Sequence, residues 1–143
     1  MARKILDSNG LSQISVYEIS GNLSDHYNPS KKLINLSKDI YNGTSIASLA
    51  VAAHECGHAI QHAVNYAPLN IRSAIVPAAN IGSQLSWPLF IAGLIFSIDP
   101  LVTLGIVLFS LAVLFQLVTL PVEINASSRA LKMLEKYRYL RCR

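Results

Sequence analysis

The side chains best suited to chemistry lie in one short segment, AVAAHECGHAIQH, which covers residues 50–62. On a helix, His54 and His58 are one turn apart on the same face, so their two imidazoles can bind one metal ion. Glu55 is rotated about 100° from His54 and can act on a water at that ion. This is the H-E-x-x-H pattern of zinc metalloproteases, in which the glutamate is the general base and is not a ligand. A helix with solvated histidines is the alternative, but ionisable groups among alanines are costly without a partner.

A catalytic zinc site needs a third protein ligand and an open fourth position. His62 lies one turn beyond His58, but three imidazoles in line along one helix diverge from a common point. The extended metzincin pattern would place glycine at position 61 and histidine at position 64, where this chain has Gln61 and Val64. We therefore expect His62 to be a helix-surface residue and the third ligand to come from elsewhere.

Two long uncharged runs follow the motif, at residues 73–98 and residues 101–120. Each is long enough to cross a bilayer, which takes about 20 apolar residues in a helix. Asp99 and Pro100 between the runs predict a tight turn, so the two runs are expected to form a transmembrane helical hairpin. Two buried helices of a soluble core are the alternative, although soluble helices usually keep a polar stripe.

Basic residues flank the hairpin at its two ends and are absent from its tip. Arg72 precedes the first run, and six more follow the second run: Arg129, Lys132, Lys136, Arg138, Arg141 and Arg143. Because cytoplasmic flanks carry the excess of Lys and Arg, the tip is predicted to lie outside and both ends inside. The histidine helix of this multi-pass protein then faces the cytoplasm.

Glu123 is the carboxylate that the predicted hairpin returns to the side of the histidines. Asp99 lies at the far end of arms about 30 Å long, and Glu135 lies about 18 Å beyond Glu123 on a straight helix. We therefore expect a helix over residues 122–138 to carry Glu123 as the third ligand. The alternative is an interfacial carboxylate paired with a base such as Arg129.

Residues 1–42 predict a small α/β segment. A short helix is expected over residues 2–9, and alternating runs at residues 14–20 and 32–37 predict two paired strands. Ser45 is suited to cap a helix over residues 45–66.

These elements predict a mainly α fold with a small β element, in a single membrane-embedded domain over residues 1–143. Its parts are a zincin-like helix carrying the H-E-x-x-H pattern, a transmembrane helical hairpin and a helix carrying the glutamate ligand.

The composition supports a membrane protein and excludes other classes. Hydrophobic residues make up 52% of the chain and charged residues 14%, against about 25% charged in typical globular chains. The basic residues cluster near the chain ends and form no nucleic-acid footprint. Cys56 and Cys142 do not form a disulfide framework, and the first thirty residues lack the apolar core of a cleaved signal peptide.

Several stretches resemble the YugP-like family of neutral zinc metallopeptidases of bacterial membranes. They are VAAHECGHAIQHA, YAPLNIR and LFQLVTLPVEINASSRAL, within a likeness that runs from RKILDSNGL to about Leu134. The resemblance implies Zn²⁺ as cofactor, the bacterial cell membrane as location, and a peptide or membrane-protein substrate beside the lipid bilayer. It also implies further spans before and after this stretch, so the chain is expected to be a truncated member.

A more remote similarity concerns the residues that support the ligands. The layout is similar to the membrane heat-shock and CAAX prenyl proteases, whose glutamate helix carries a Glu-x-x-Ala-Asp pattern. Here that pattern falls on Glu123, Ala126 and Ser127, so a serine takes the place of the aspartate. Asn125, Ser127 and Arg129 are the candidates for supporting the ligands.

The predicted function is hydrolysis of peptide bonds by a zinc-activated water with Glu55 as general base. Spacing selects none of His26, Tyr27 and Arg129 as the donor that stabilises the oxyanion. Two alternatives stay open: an inactive, truncated zinc-binding membrane remnant or interaction module, and a small membrane hairpin without metal.

Overall fold

The structure is a computed structural model that describes residues 1–137. The basic residues Arg138, Arg141 and Arg143, the end of the helix predicted over residues 122–138, and Cys142 therefore lie outside the described chain. The described chain is mainly helical with one small sheet. Its elements are α1 (Ala2–Ser8), β1 (Ser15–Ile19), β2 (His26–Asn28), β3 (Leu33–Ser37), α2 (Lys38–Tyr41), α3 (Ile46–Ala63), α4 (Ala67–Phe96) and α5 (Asp99–Lys136).

The chain divides into two compact units. The first unit is Met1–Tyr66 together with the chain from Glu123 onward, and the second unit is Ala67–Val122. The first unit is therefore discontinuous in sequence. Helix α5 contributes its first part to the second unit and its last part to the first.

The sheet of the first unit has three strands in the order β1-β3-β2. β1 pairs with β3 in parallel, with Ser15 opposite Leu33, and β2 pairs with β3 antiparallel. The two predicted strands are present, and β2 lies between them in a stretch for which no strand was predicted. The Asp25 carboxylate accepts hydrogen bonds from the backbone N–H of Ser37 at 2.7 Å and from its hydroxyl at 3.1 Å. These polar contacts hold the start of β2 against β3, and strand periodicity does not reveal them.

Helix α3 begins after Ser45, whose Oγ accepts a hydrogen bond from the Ser48 N–H at 3.1 Å. The helix ends at Ala63, three residues before the predicted end, and Asn65 has a positive φ of 51°. Pro68 lies in the first turn of α4, where its missing N–H costs no helical hydrogen bond. Helix α4 therefore begins at residue 67, before the uncharged run that starts at residue 73.

The core of the first unit is built mainly from α1, the sheet and the buried faces of α3 and α5. Its buried members are Ala2, Ile5, Leu6, Leu11, Ile14, Ile34, Leu36, Ala52, Ala53, Cys56, Ala59, Ile60, Ala130, Met133 and Leu134. The small residues of α3 let α5 approach closely. A Cβ added at Gly57 would lie 2.7 Å from the carbonyl oxygen of Ala126, so only glycine fits where the two helices cross.

The second unit consists of α4 and the first part of α5. A Cβ at Gly93 would lie 2.6 Å from the backbone N of Val102, and one at Gly105 would lie 2.9 Å from the Cβ of Phe90. Gly93 of α4 thus faces Val102 of α5, and the earlier residue Phe90 of α4 faces the later residue Gly105 of α5. The two helical segments are therefore antiparallel. Glycines permit this close approach.

The link between α4 and α5 is at Ser97 and Ile98, where Ser97 has a φ of 55°. The turn predicted at Asp99 and Pro100 is therefore misplaced by two residues. Both residues lie in the first turn of α5, because proline is compatible with the start of a helix, where backbone N–H groups have no helical partner.

Among the described residues, α4 and α5 are the two helices long and apolar enough to cross a membrane. Of the most apolar 18 residues in each helix, only 11% are buried in α4 and 6% in α5. Ile95 and Phe96, for example, are each 70% exposed. Neither helix is largely buried among the described residues.

Candidate metal site

Helix α3 and the last part of α5 bring three potential ligands together in the first unit. His54 Nε2 lies 3.1 Å from His58 Nε2 and 3.1 Å from Glu123 Oε2, and His58 Nε2 lies 3.5 Å from the same Glu123 oxygen. Among the described His, Cys, Asp and Glu side chains, these three form the one group whose geometry suits a metal ion. Glu135 and His62 are not part of it.

The spacing of the three donor atoms fits zinc. Donors at about 2.0–2.1 Å from a tetrahedral zinc ion are separated from one another by about 3.3 Å. The three separations, 3.1, 3.1 and 3.5 Å, bracket this value. Two imidazole nitrogens and one carboxylate oxygen are also ligands that zinc prefers. The residues present therefore fit the ion that the sequence pattern implies.

The group is accessible on one side. The His58 side chain is 11% exposed, His54 is 26% exposed and Glu123 is 37% exposed. A catalytic zinc site must keep one coordination position open for water or substrate. The partial exposure of His54 and Glu123 is compatible with that requirement.

The second nitrogen of each imidazole contacts a polar side chain. His54 Nδ1 lies 3.1 Å from the Ser127 hydroxyl, and His58 Nδ1 lies 3.0 Å from Gln61 Oε1. Ser127 therefore contacts a potential ligand from the position where the related pattern has an aspartate. Such contacts orient a metal-binding ring and influence its affinity for the metal.

Gln61 belongs to a chain of hydrogen bonds that reaches α5. Its Nε2 donates to Asn125 Oδ1 at 3.1 Å, and Arg129 Nε donates to the same oxygen at 2.8 Å. Gln61 is fully buried. In the sequence, Gln61 stands out only as a departure from the metzincin pattern. Its position three residues after His58, on the same helix face, is the signal that could have indicated its contact with His58.

Glu55 is buried, with 8% of its surface exposed. Its carboxylate accepts a hydrogen bond from the backbone N–H of Tyr27 in β2. Burial raises the pKa of Glu55 above its ordinary value, while the charges of His58 and His54 and the Tyr27 hydrogen bond oppose that rise. Strand β2, absent from the predicted elements, thus supplies one of the groups that favour the charged form of the proposed base.

The three candidates for oxyanion stabilisation are differently engaged. The Tyr27 hydroxyl lies 3.1 Å from His62 Nδ1, and burial raises the Tyr27 pKa. His26 contacts the Ser24 carbonyl through Nδ1 at 2.7 Å. Arg129 donates to Asn125. None of these contacts distinguishes an oxyanion donor.

Cys56 is fully buried on the core side of α3. Burial and the neighbouring Glu55 charge raise the pKa of its thiol to about 12. The side chain therefore stays neutral and serves the core as a small apolar group.

Over residues 1–143 the chain matches the family described as "Putative neutral zinc metallopeptidase", and it belongs to that family. The resemblance inferred from the motifs is thus confirmed. The chain is also similar to the "Putative membrane protease YugP" of Bacillus subtilis (strain 168), with 46% identity over 140 residues. The alignment covers 98% of this chain and 62% of that relative, so the chain spans less than two thirds of the relative's length. No solved structure matches the chain.

Proposed function

We propose that this chain is a zinc-dependent membrane metallopeptidase whose metal ligands are His54, His58 and Glu123. The observation that carries the proposal is the spacing of the three donor atoms, 3.1 to 3.5 Å apart, on two different helices. Family membership supports zinc binding and peptide hydrolysis. The Nε2 atoms of the two histidines and a carboxylate oxygen of Glu123 are the proposed zinc-binding atoms.

In the proposed reaction, three residues bind the metal and a fourth acts as the general base. Zinc, when bound, would activate water and polarise the scissile carbonyl. His54 and His58 would hold the ion through Nε2, and Glu123 would hold it through a carboxylate oxygen. Glu55 accepts a proton from the attacking water on its carboxylate and later delivers it to the leaving amine. The Tyr27 N–H keeps that carboxylate in place.

The proposed location is the bacterial cell membrane, with α4 and the first part of α5 spanning as a hairpin and the site facing the cytoplasm. The exposed apolar surfaces of the two helices support the membrane location, as does the printed name of the relative. The absence of Lys and Arg between Arg72 and Arg129 supports the orientation. The bilayer is therefore the proposed partner of the second unit, and peptides or membrane proteins are the proposed substrates.

Site-directed labelling tests this orientation. In a Cys142→Ser background, a cysteine at the exposed Ile98 should react with a membrane-impermeant maleimide on cells whose cytoplasmic membrane is accessible from outside. A cysteine at Leu23, which is 97% exposed, should react only after lysis. The opposite labelling pattern would reverse the proposed topology.

Metal analysis tests the ligand set. Purified wild-type protein should contain about one zinc per chain, and His58→Ala and Glu123→Gln should lose most of it because each removes one of three ligands. Glu135→Gln is the matched control, since it removes a carboxylate from the same helix outside the donor group. Equal zinc content in Glu123→Gln and Glu135→Gln would exclude Glu123 as a ligand.

A peptidase assay tests catalysis separately from metal binding. Glu55→Gln should retain zinc while its cleavage of a labelled protein substrate falls by at least about 100-fold, the usual contribution of a general base. If wild type and Glu55→Gln hold equal zinc and are equally inactive, the chain is a zinc-binding remnant or interaction module.

A further inference from the structure

The hydrogen bond from Arg129 to Asn125 determines which way the Asn125 amide points. A guanidinium group has only donors, so the atom that faces Arg129 Nε at 2.8 Å must be an oxygen. Which atom of an Asn or Gln amide is the oxygen and which is the nitrogen is otherwise inferred from the surrounding hydrogen bonds. Here the donor-only partner determines it.

The fixed Asn125 oxygen in turn determines the orientation of Gln61. That oxygen lies 3.1 Å from Gln61 Nε2. Two carbonyl oxygens cannot form a hydrogen bond with each other, so Gln61 must present its NH₂ group to Asn125. Its carbonyl oxygen then faces His58 Nδ1 at 3.0 Å.

The Gln61 carbonyl determines where His58 carries its proton. A carbonyl oxygen only accepts hydrogen bonds, so the Nδ1 atom that faces it must bear the hydrogen. In a neutral imidazole with Nδ1–H, the lone pair is on Nε2. That nitrogen is the one that lies 3.1 Å from His54 Nε2 and 3.5 Å from Glu123 Oε2.

We propose that Arg129 is a positioning residue which, through Asn125 and Gln61, fixes the Nδ1–H tautomer of His58 and so leaves Nε2 free to bind the metal. The opposite tautomer would direct an N–H into the donor group towards the Glu123 carboxylate. That arrangement satisfies a hydrogen bond but occupies the ligand position. The chain from Arg129 opposes it, and because Gln61 is fully buried, water cannot readily replace its carbonyl as the acceptor.

His54 provides an internal comparison. Its Nδ1 faces the Ser127 hydroxyl, which can donate or accept a hydrogen bond. Ser127 therefore does not select a tautomer of His54. Of the two Nδ1 atoms, only that of His58 faces a partner of fixed polarity.

The inference rests on the proposed function only in naming zinc as the ligand of Nε2, since the proton assignment concerns the metal-free protein. Histidine ¹⁵N chemical shifts of detergent-solubilised, metal-free protein, at a pH above the histidine titration, report the tautomer directly. Wild type should show a protonated Nδ1 and an unprotonated Nε2 for His58. Arg129→Met should show a mixture of the two tautomers, because the Asn125 amide is then free to reverse.

Zinc affinity, measured by competition with a chelator, supplies the second readout. Arg129→Met should weaken zinc binding by about 10- to 100-fold, the usual effect of losing a residue that supports a ligand. Arg129→Lys, which restores a donor-only cation beside Asn125, should recover both the tautomer and most of the affinity. Lys132→Met is the matched control, because it removes an exposed cation from the same helix.

Two results would overturn the inference. One is a wild-type His58 protonated on Nε2, and the other is an Arg129→Met variant that matches Lys132→Met in tautomer and zinc affinity. A protein with the expected tautomer that binds no zinc would instead contradict the proposed function and leave the proton assignment standing.

Discussion

His54 Nδ1 contacts the Ser127 hydroxyl at 3.1 Å, where the related sequence pattern has an aspartate. A hydrogen bond to a carboxylate is roughly twice as strong as one between neutral groups, and it increases the basicity of the imidazole as a ligand. The site of this chain is therefore supported less strongly at His54 than a site with aspartate would be.

Restoring the carboxylate should strengthen the site. We expect Ser127→Asp to lower the zinc dissociation constant by about 10-fold and Ser127→Ala to raise it, as measured by chelator competition. Ser128→Asp adds the same charge at the adjacent exposed position and is the control. Equal tightening by both aspartates would mean that the added charge acts without orienting His54.

The sequence points to candidate ligands and a candidate base more readily than to the residues that contact them. The spacing of His54, Glu55 and His58 is visible because all three lie on one helix, and the uncharged runs bracket Glu123. Gln61 could not be assigned in this way. Its role depends on Asn125, which is 64 residues away, and single-sequence periodicity contains no information about such a contact.

At the scale of elements, the crossing of α3 and α5 depends on Gly57. A side chain there would collide with the backbone of α5 at Ala126. Because backbone atoms cannot rotate away, the helices must separate to admit even a methyl group. The ligands from α3 and α5 would then move apart as well.

We predict that Gly57→Ala destabilises the protein by about 1–3 kcal/mol, the usual cost of overpacking, and weakens zinc binding. Thermal unfolding followed by circular dichroism and chelator competition measure the two effects. Gly82→Ala is the control, since its new Cβ would meet nothing closer than 3.8 Å and alanine favours a helix by about 1 kcal/mol. Equal stability of the two variants would contradict the close crossing.

Element boundaries were predicted less well than element types. β2 was missed because its pairing depends on side-chain contacts from Asp25 to Ser37. The helix over residues 122–138 was expected to be separate, but α5 is continuous from Asp99 to Lys136 and includes Pro121. Proline removes the hydrogen bond to the Leu117 carbonyl without ending the helix, as the surrounding apolar turns remain bonded.

At the scale of the whole molecule, the two units differ in how much apolar surface they expose. The first unit has a core with buried residues from β3 and partly buried ones from β1 and β2, whereas the second unit exposes many large apolar side chains. In water such surfaces promote aggregation, and in a bilayer they are solvated by lipid.

A matched pair of substitutions on α5 tests the membrane placement. Leu114 and Leu131 are 56% and 54% exposed, but only Leu114 lies in the apolar run. Leu114→Arg should reduce the membrane-integrated fraction in alkaline extraction, because arginine costs about 2.5–3.5 kcal/mol at the centre of a span. Leu131→Arg should leave that fraction unchanged, and equal loss in both would count against a span at Leu114.

The discontinuity of the first unit has a consequence for the order of events during synthesis. His54 and Glu123 are 69 residues apart, so at about 5–20 residues per second the ribosome makes the imidazoles roughly 3 to 14 seconds before the carboxylate. During that interval the apolar segments are made, and the nascent chain has both imidazoles but not the carboxylate of the proposed ligand set. The proposed metal site can therefore be completed only after translation has passed Glu123, so metal loading through all three proposed ligands must follow synthesis of α4 and the first part of α5.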